Sequence, residues 1–290
     1  MSYSHKNRVK RRKEMKKKLA MALALTCAIV MTACGGSSAP AETAAPEPTV
    51  ESTVEEAAPV VDESVVTAAD PSGDLYIMEY DEYITAEVDD PVCLDVYVQA
   101  KQSWWEDTAS IYAQYGEEGG GVFIYAMPIS QEDYDALVPG TKIRVNGFKA
   151  EWSGEIEIVD AEYTVLDEEP QVFAAVDATG YLGTDNLIDL QNTFVAFKDM
   201  TVEAIKDADG NEATYIYNWD GSGADGDDLY FNVSKDGTTY TFTVESYLTG
   251  AGTDVYEAVK ALEVGQTVDL EGFLYWYEGA NPHITSVTVK

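Results

Sequence analysis

Leu137-Val138-Pro139-Gly140-Thr141-Lys142-Ile143-Arg144-Val145-Asn146-Gly147-Phe148 returns later in the chain as Leu262-Glu263-Val264-Gly265-Gln266-Thr267-Val268-Asp269-Leu270-Glu271-Gly272-Phe273. Leu137, Gly140, Ile143, Val145, Gly147 and Phe148 fall on Leu262, Gly265, Val268, Leu270, Gly272 and Phe273, while the residues between them change freely. The pattern reports one architecture used twice. Pro139 and Gly140 suit the centre of a type II turn, and the second copy keeps only the glycine, the residue that tolerates the required positive φ. Ile143, Val145 and Gly147 then alternate with polar residues, as Val268, Leu270 and Gly272 do, with the period of a half-buried strand. A glycine inside each strand, at the same place twice, predicts a bulge or tight bend of the kind a small barrel needs.

Working outward, the first unit spans residues 75–168. Strands are predicted at Leu94–Val98, Ile111–Tyr115 and Val122–Met127, the last after the Gly119-Gly120-Gly121 turn. A short helix follows, with Ser130 and Asp133 as its N-terminal signal. The repeated stretch is strand four, and Glu155–Val165 is strand five. After the acidic break Asp167-Glu168-Glu169-Pro170, the second unit covers residues 169–290. Phe194–Ile205 opens it, Leu229–Val233 and Tyr240–Val244 form a hairpin through Ser234-Lys235-Asp236-Gly237, and Thr253 starts a helix. Val255, Val259 and Leu262 give that helix one apolar stripe, and Thr267–Trp276 and Ile284–Val289 are the last strands.

Three strands, a short helix, then two strands resembles the OB fold, a five-stranded Greek-key barrel. The fold class is therefore all-β with short helices, as two tandem OB-fold-like barrels similar to those of bacterial surface lipoproteins. A two-sheet sandwich is the alternative, against which the helix ahead of strand four argues. The resemblance rests on element order and the repeated glycine pattern, and no catalytic residue comes with it.

Residues 1–33 read as a signal peptide. Nine of the 18 Lys and Arg lie between Lys6 and Lys18, and the apolar run Leu19–Met31 is too short to span a bilayer comfortably, which takes roughly 20 residues. Met15 is a second candidate start. Met31-Thr32-Ala33-Cys34-Gly35-Gly36 resembles the lipobox of bacterial lipoproteins, with Met31 where leucine is usual. The resemblance implies lipidation of Cys34 and an extracytoplasmic, membrane-anchored protein; two acyl chains suffice for stable anchoring. An ordinary secretory signal with an incidental cysteine is the alternative. Residues 34–74, rich in Ala, Pro, Glu and Thr, read as a flexible acidic spacer. Cys27 lies in the signal, so Cys93 is alone in the folded part, where a buried structural thiol is expected rather than a disulfide framework.

Formal net charge is −34. Removing residues 1–33 takes away nine basic residues and one acidic residue, leaving the remainder near −42. A field of that sign repels phosphate backbones, so nucleic acid is disfavoured and a neutral glycan or a peptide is the expected ligand of a non-catalytic binding module. Aromatic residues cluster where OB barrels bind ligands, beside the loops joining strands one to two and four to five: Trp104, Trp105 and Trp152 in the first unit, Trp219, Tyr275, Trp276 and Tyr277 in the second. The competing assignment is that several of these rings close the barrel ends. Two acidic loops offer oxygens for calcium, through Asp207 and Asp209 and through Asp225, Asp227 and Asp228; apart from that ion no cofactor is expected. Neither loop has EF-hand spacing. His283 is the only histidine beyond the signal, which leaves no histidine metal cluster and little for a catalytic triad. A hydrolase using surface carboxylates and a scaffold for a membrane complex are the rival function classes.

Overall fold

The alternation of apolar and polar residues sets the strands of the protein, seen in a computed structural model that describes residues 76–290. The expected signal peptide, Cys34 and the expected acidic spacer lie outside the described residues. A first helix, α1 (Tyr80–Thr85), is capped reciprocally by Glu79 and Glu82. The first barrel follows: β1 (Pro91–Lys101), β2 (Thr108–Gly116), β3 (Gly119–Pro128), α2 (Gln131–Ala136), β4 (Lys142–Trp152) and β5 (Glu155–Val165). These strands close in the order β1-β2-β3-β5-β4, with β3 and β5 parallel and the other pairs antiparallel. Ser130 caps α2 by accepting a hydrogen bond from the Asp133 amide, as its sequence signal requires.

The second barrel repeats this plan. It uses β7 (Phe194–Glu203), β11 (Leu229–Lys235), β12 (Thr238–Val244), β13 (Thr267–Phe273) and β14 (His283–Val289), with α3 (Ser246–Thr249) and α4 (Asp254–Lys260) between β12 and β13. β7 pairs with both β11 and β13, so the order β7-β11-β12-β14-β13 returns to its start, again with one parallel contact, β12 to β14. Val255, Val259 and Leu262 are buried in its core. Both halves are thus five-stranded closed barrels in tandem, OB-fold-like in order.

The repeated glycines do what their positions demand. Gly140 and Gly265 sit at φ +92° and +90°, in the left-handed region that glycine occupies without steric cost. The pairing of β4 with β5 slips between Asn146 and Phe148, and that of β13 with β14 slips between Glu271 and Gly272. Each interior glycine therefore marks a bulge.

Three departures from the sequence reading have physical causes. β1 does not alternate but is buried almost throughout. Its outer side is covered by Phe173, which meets Tyr97 edge-on, and ahead of α1 the Met78 amide donates to the Cys93 carbonyl. Strand β13 ends at Phe273, short of Trp276, because residues 275–278 turn onto the other barrel, where Tyr275 meets Phe123, Trp276 lies against Gly154 and the Glu278 amide donates to the Ser153 carbonyl. Finally, β6 (Val176–Asp177), β8 (Ile205–Lys206), β9 (Glu212–Ala213) and β10 (Tyr215–Tyr217) are too short to show a period. Lys149 fastens α1 in place: its buried ammonium donates to the carbonyls of Tyr83, Ile84 and Ala86 at 3.0, 2.7 and 2.9 Å, and burial pulls its pKa down.

Candidate nucleic-acid interface

In an OB barrel the exposed side of strands two and three, with the one–two and four–five loops, is the usual binding surface. Alternation puts Ser110, Tyr112, Gln114, Gly121, Phe123 and Tyr125 on that side of the first barrel, opposite Ile111, Ala113, Val122 and Ile124 in its core. The second barrel covers it. Tyr112 stacks on Phe273 with centroids 4.4 Å apart and planes 15° apart, and Phe123 meets Tyr275 edge-on at 5.5 Å. The Tyr112 hydroxyl and His283 Nδ1 are 2.9 Å apart, and the Phe194 amide donates to Gln114. Gly121 approaches so closely that its amide donates to Thr193 Oγ1 at 3.2 Å. Burial holds His283 neutral, with its pKa lowered to about 3.

The same side of the second barrel is partly open: Thr239 and Thr241 are exposed, while Thr243 is buried. Tyr230, Asn232 and Ser234 alternate with the buried Leu229, Phe231 and Val233, and they pair across to Thr243, Thr241 and Thr239. Thr241 donates to Asn232 Oδ1 at 2.8 Å, and Ser234 donates to Glu203 at 2.6 Å. The result is a row of hydroxyl and amide groups with one aromatic ring in it. Burial pushes the Tyr230 hydroxyl up to about 12, so it remains a donor at any ordinary pH. Trp219, 76% exposed, stands on the β10–β11 loop, and Tyr277, 42% exposed, stands on the β13–β14 loop. Tyr277 is close enough to Tyr230 to act on it electrostatically.

The aromatic residues singled out in the sequence therefore divide. Tyr277 lies beside Tyr230 at the outer face, and Trp219 is exposed on the β10–β11 loop. Tyr275 is half-buried and stacked on His283 at 4.5 Å, and Trp276 lies against Gly154 of the other barrel. Trp104 donates its indole N–H to the Ile129 carbonyl and packs on the first core. Trp152, half-buried, ends β4. Trp105 is exposed, two residues past Ser103, whose amide donates to the Tyr247 carbonyl. Sequence reasoning missed Tyr230, Asn232 and Thr241. Their signal was there in the polar alternation of β11 and β12, but alternation alone does not say which outer faces stay open.

The acidic loops are organised as turns. Asp207 accepts from the amides of Asp209 and Asn211, which keep its pKa low. Asp225 pairs with Lys260 at 2.8 Å, Asp227 accepts from the Ala224 amide, and Asp228 accepts from Ser246. Among the described residues no three of His, Cys, Asp and Glu gather as a metal ion would need.

No protein-family model matches the chain, and no curated protein matches it. Solved structures similar to it include the p204 HINb domain, at 14% identity, covering 70% of this chain and 98% of that one, with a TM-score of 0.31. A murine DNA-binding protein bound with double-stranded DNA follows at 12% identity, 69% and 97% coverage and a TM-score of 0.30. A deletion mutant of the single-stranded DNA-binding protein from Thermus aquaticus is similar at 13%, 69% and 93%, with a TM-score of 0.22. These neighbours overturn two expectations. The reading of a surface module for a neutral glycan or a peptide is withdrawn, and so is the disfavouring of nucleic acid as a partner, because two of these neighbours are described as DNA-binding. Net charge governs how such contact depends on salt; it does not close an aromatic face to bases. At these identities the likeness is one of fold.

Proposed function

We propose that the chain is a non-catalytic binding module that takes single-stranded nucleic acid on the partly open face of its second barrel. Trp219, Tyr230 and Tyr277 would stack on bases, and the row formed by Asn232, Ser234, Thr239 and Thr241 would hydrogen-bond their edges. The observation that carries this reading is the asymmetry of the two barrels: one β2–β3 face is covered by the other barrel, while its counterpart is polar and partly exposed, with the exposed Tyr277 beside Tyr230. Binding without catalysis fits the burial of His283 beneath Tyr112 and Tyr275. Because the protein is acidic, phosphate neutralisation contributes little, so affinity should lack the steep loss with salt that lysine–phosphate contacts produce.

Titration of a thymidine oligonucleotide is expected to quench tryptophan fluorescence, with an affinity that stays flat or rises between low and high salt. Trp219→Ala should weaken binding by about 1–3 kcal/mol, the usual worth of one stacked base, at unchanged melting temperature. Absence of quenching at millimolar oligonucleotide would end the proposal.

Location forms a separate part of the same proposal. The sequence around Cys34 supports a bacterial-type surface lipoprotein whose barrels stand outside the membrane on the acidic spacer. Cys34→Ala should move the protein from the membrane fraction to the soluble one, and a variant still in the membrane fraction would contradict the anchor.

A further inference from the structure

The seam between the barrels contains a carboxyl group with nothing to neutralise it. Glu155, the first residue of β5, is fully buried. Its Oε2 accepts from the Trp276 amide at 2.9 Å and from Gln191 Nε2 at 3.2 Å, both belonging to the second half of the chain. Its Oε1 is buried and has no donor. Besides Gln191, the Asn192 side chain lies within hydrogen-bonding reach of Glu155, and its Oδ1 is likewise buried without a donor.

Two orphaned acceptors on neighbouring side chains can be satisfied by a single proton. Turning the Asn192 amide over does not help, because its Nδ2 donates to the Ile156 carbonyl at 3.0 Å and a flip would set oxygen against oxygen there. The backbone fixes Asn192 as well: it sits at φ 63°, and its amide donates to the Leu274 carbonyl at 2.9 Å. We propose that Glu155 is a protonated latch between the barrels, donating from Oε1 to Asn192 Oδ1 in the closed molecule and losing its proton to water when the seam opens.

Burial is the largest influence on Glu155 and favours its neutral form; the Asn192, Trp276 and Gln191 groups favour the charged form but do not outweigh it. Glu157 on β5 repels its charged form. The hydroxyls of Tyr83 on α1, Tyr112 on β2 and Tyr275 on the β13–β14 loop lie within its electrostatic reach, and burial raises the pKa of all three. His283, behind Tyr112, is held neutral by burial. Burial pushes Glu155 itself up to about 9, against the ordinary 4.5 it would regain in the opened seam. The closed form therefore holds one more proton than the open form throughout that window. Closure is strongest below pH 4.5, and the opening constant rises about tenfold per pH unit until pH 9, where it levels off. Opening would uncover Tyr112 and Phe123, the covered face of the first barrel.

Glu155→Gln keeps the donor and loses the titration: its amide can donate to Asn192 while its oxygen accepts from Trp276. With one dye on each barrel, energy transfer should show the wild-type seam loosening as pH rises from 5 to 9, while the Gln variant shows no such trend beyond that of Glu245. Burial raises this second seam carboxyl to about 7, and because both proteins carry it, the difference between them isolates Glu155. Identical pH profiles would overturn the latch, as would a Gln variant already open at pH 5. Should that variant fail to fold, side-chain carboxyl NMR of the wild type decides: the latch requires a glutamate that stays protonated to about pH 9, and its absence overturns the proposal.

Discussion

Gly272→Ala is expected to destabilise the protein by at least about 3 kcal/mol, read as a shifted denaturation midpoint at unchanged slope, or to abolish folding. A Cβ built on Gly272 falls 2.1 Å from the His283 carbonyl oxygen and 2.8 Å from Ile284 Cα. Both are backbone atoms of the paired strand, so no rotamer change relieves the contact. The bulge that curves β13 would have to be rebuilt. Gly147, its counterpart in the first barrel, is less severe only because its nearest neighbours, a methyl of Ile158 and the backbone carbonyl of Val159, lie farther off, at 2.7 Å each. Gly265→Ala is the control. Nothing lies within 4 Å of its Cβ, so only the positive φ is penalised, at about 1 kcal/mol. Equal losses at Gly265 and Gly272 would show that backbone conformation, and not the close approach of β14, is what the repeated glycine serves.

That ranking could not be made from the sequence, although the bulges could. Gly147 and Gly272 interrupt alternating strands at equivalent places, and a period-two pattern broken by glycine is a local signal. The capping residues Ser130 and Thr253 were legible for the same reason, since each accepts from an amide three residues on. What the chain does with the outer faces of its barrels is not local. Ile111-Tyr112-Ala113 reads as a continuous apolar run, the mark of a strand buried on both sides, yet the identity of the covering surface depends on residues such as Phe273 and His283, far along the chain. Likewise Tyr275, Trp276 and Tyr277 look alike as a run of aromatics. The turn after β13 packs the first two into the seam and leaves the third in solvent, a division set by tertiary contacts with Gly154, Phe123 and His283. Net charge is not local either: it describes the whole surface and does not say which groups stand on one face.

Gly121→Ala is expected to part the barrels without unfolding either. Its Cβ would lie 2.1 Å from both the Asn192 carbonyl carbon and the Thr193 amide nitrogen, so the second half of the chain must retreat from β3. The retreat breaks the Gly121–Thr193 hydrogen bond and separates Tyr112 from Phe273, whose stacking is worth about 0.5–1.5 kcal/mol beyond the area it buries. Each barrel keeps its own closed ring of strands and its own core, which is why separation and not collapse should follow. Calorimetry should resolve two transitions in the variant where the wild type shows one. The substitution also tests the latch from the other side, since a seam already open leaves Glu155 in water at its ordinary pKa. The pH-dependent difference between Glu155 and Gln should then vanish in the Gly121→Ala background. A single transition near the wild-type temperature would mean that β3 and Asn192 can move apart while the seam stays closed, and the close approach at Gly121 would no longer account for the docking of the barrels.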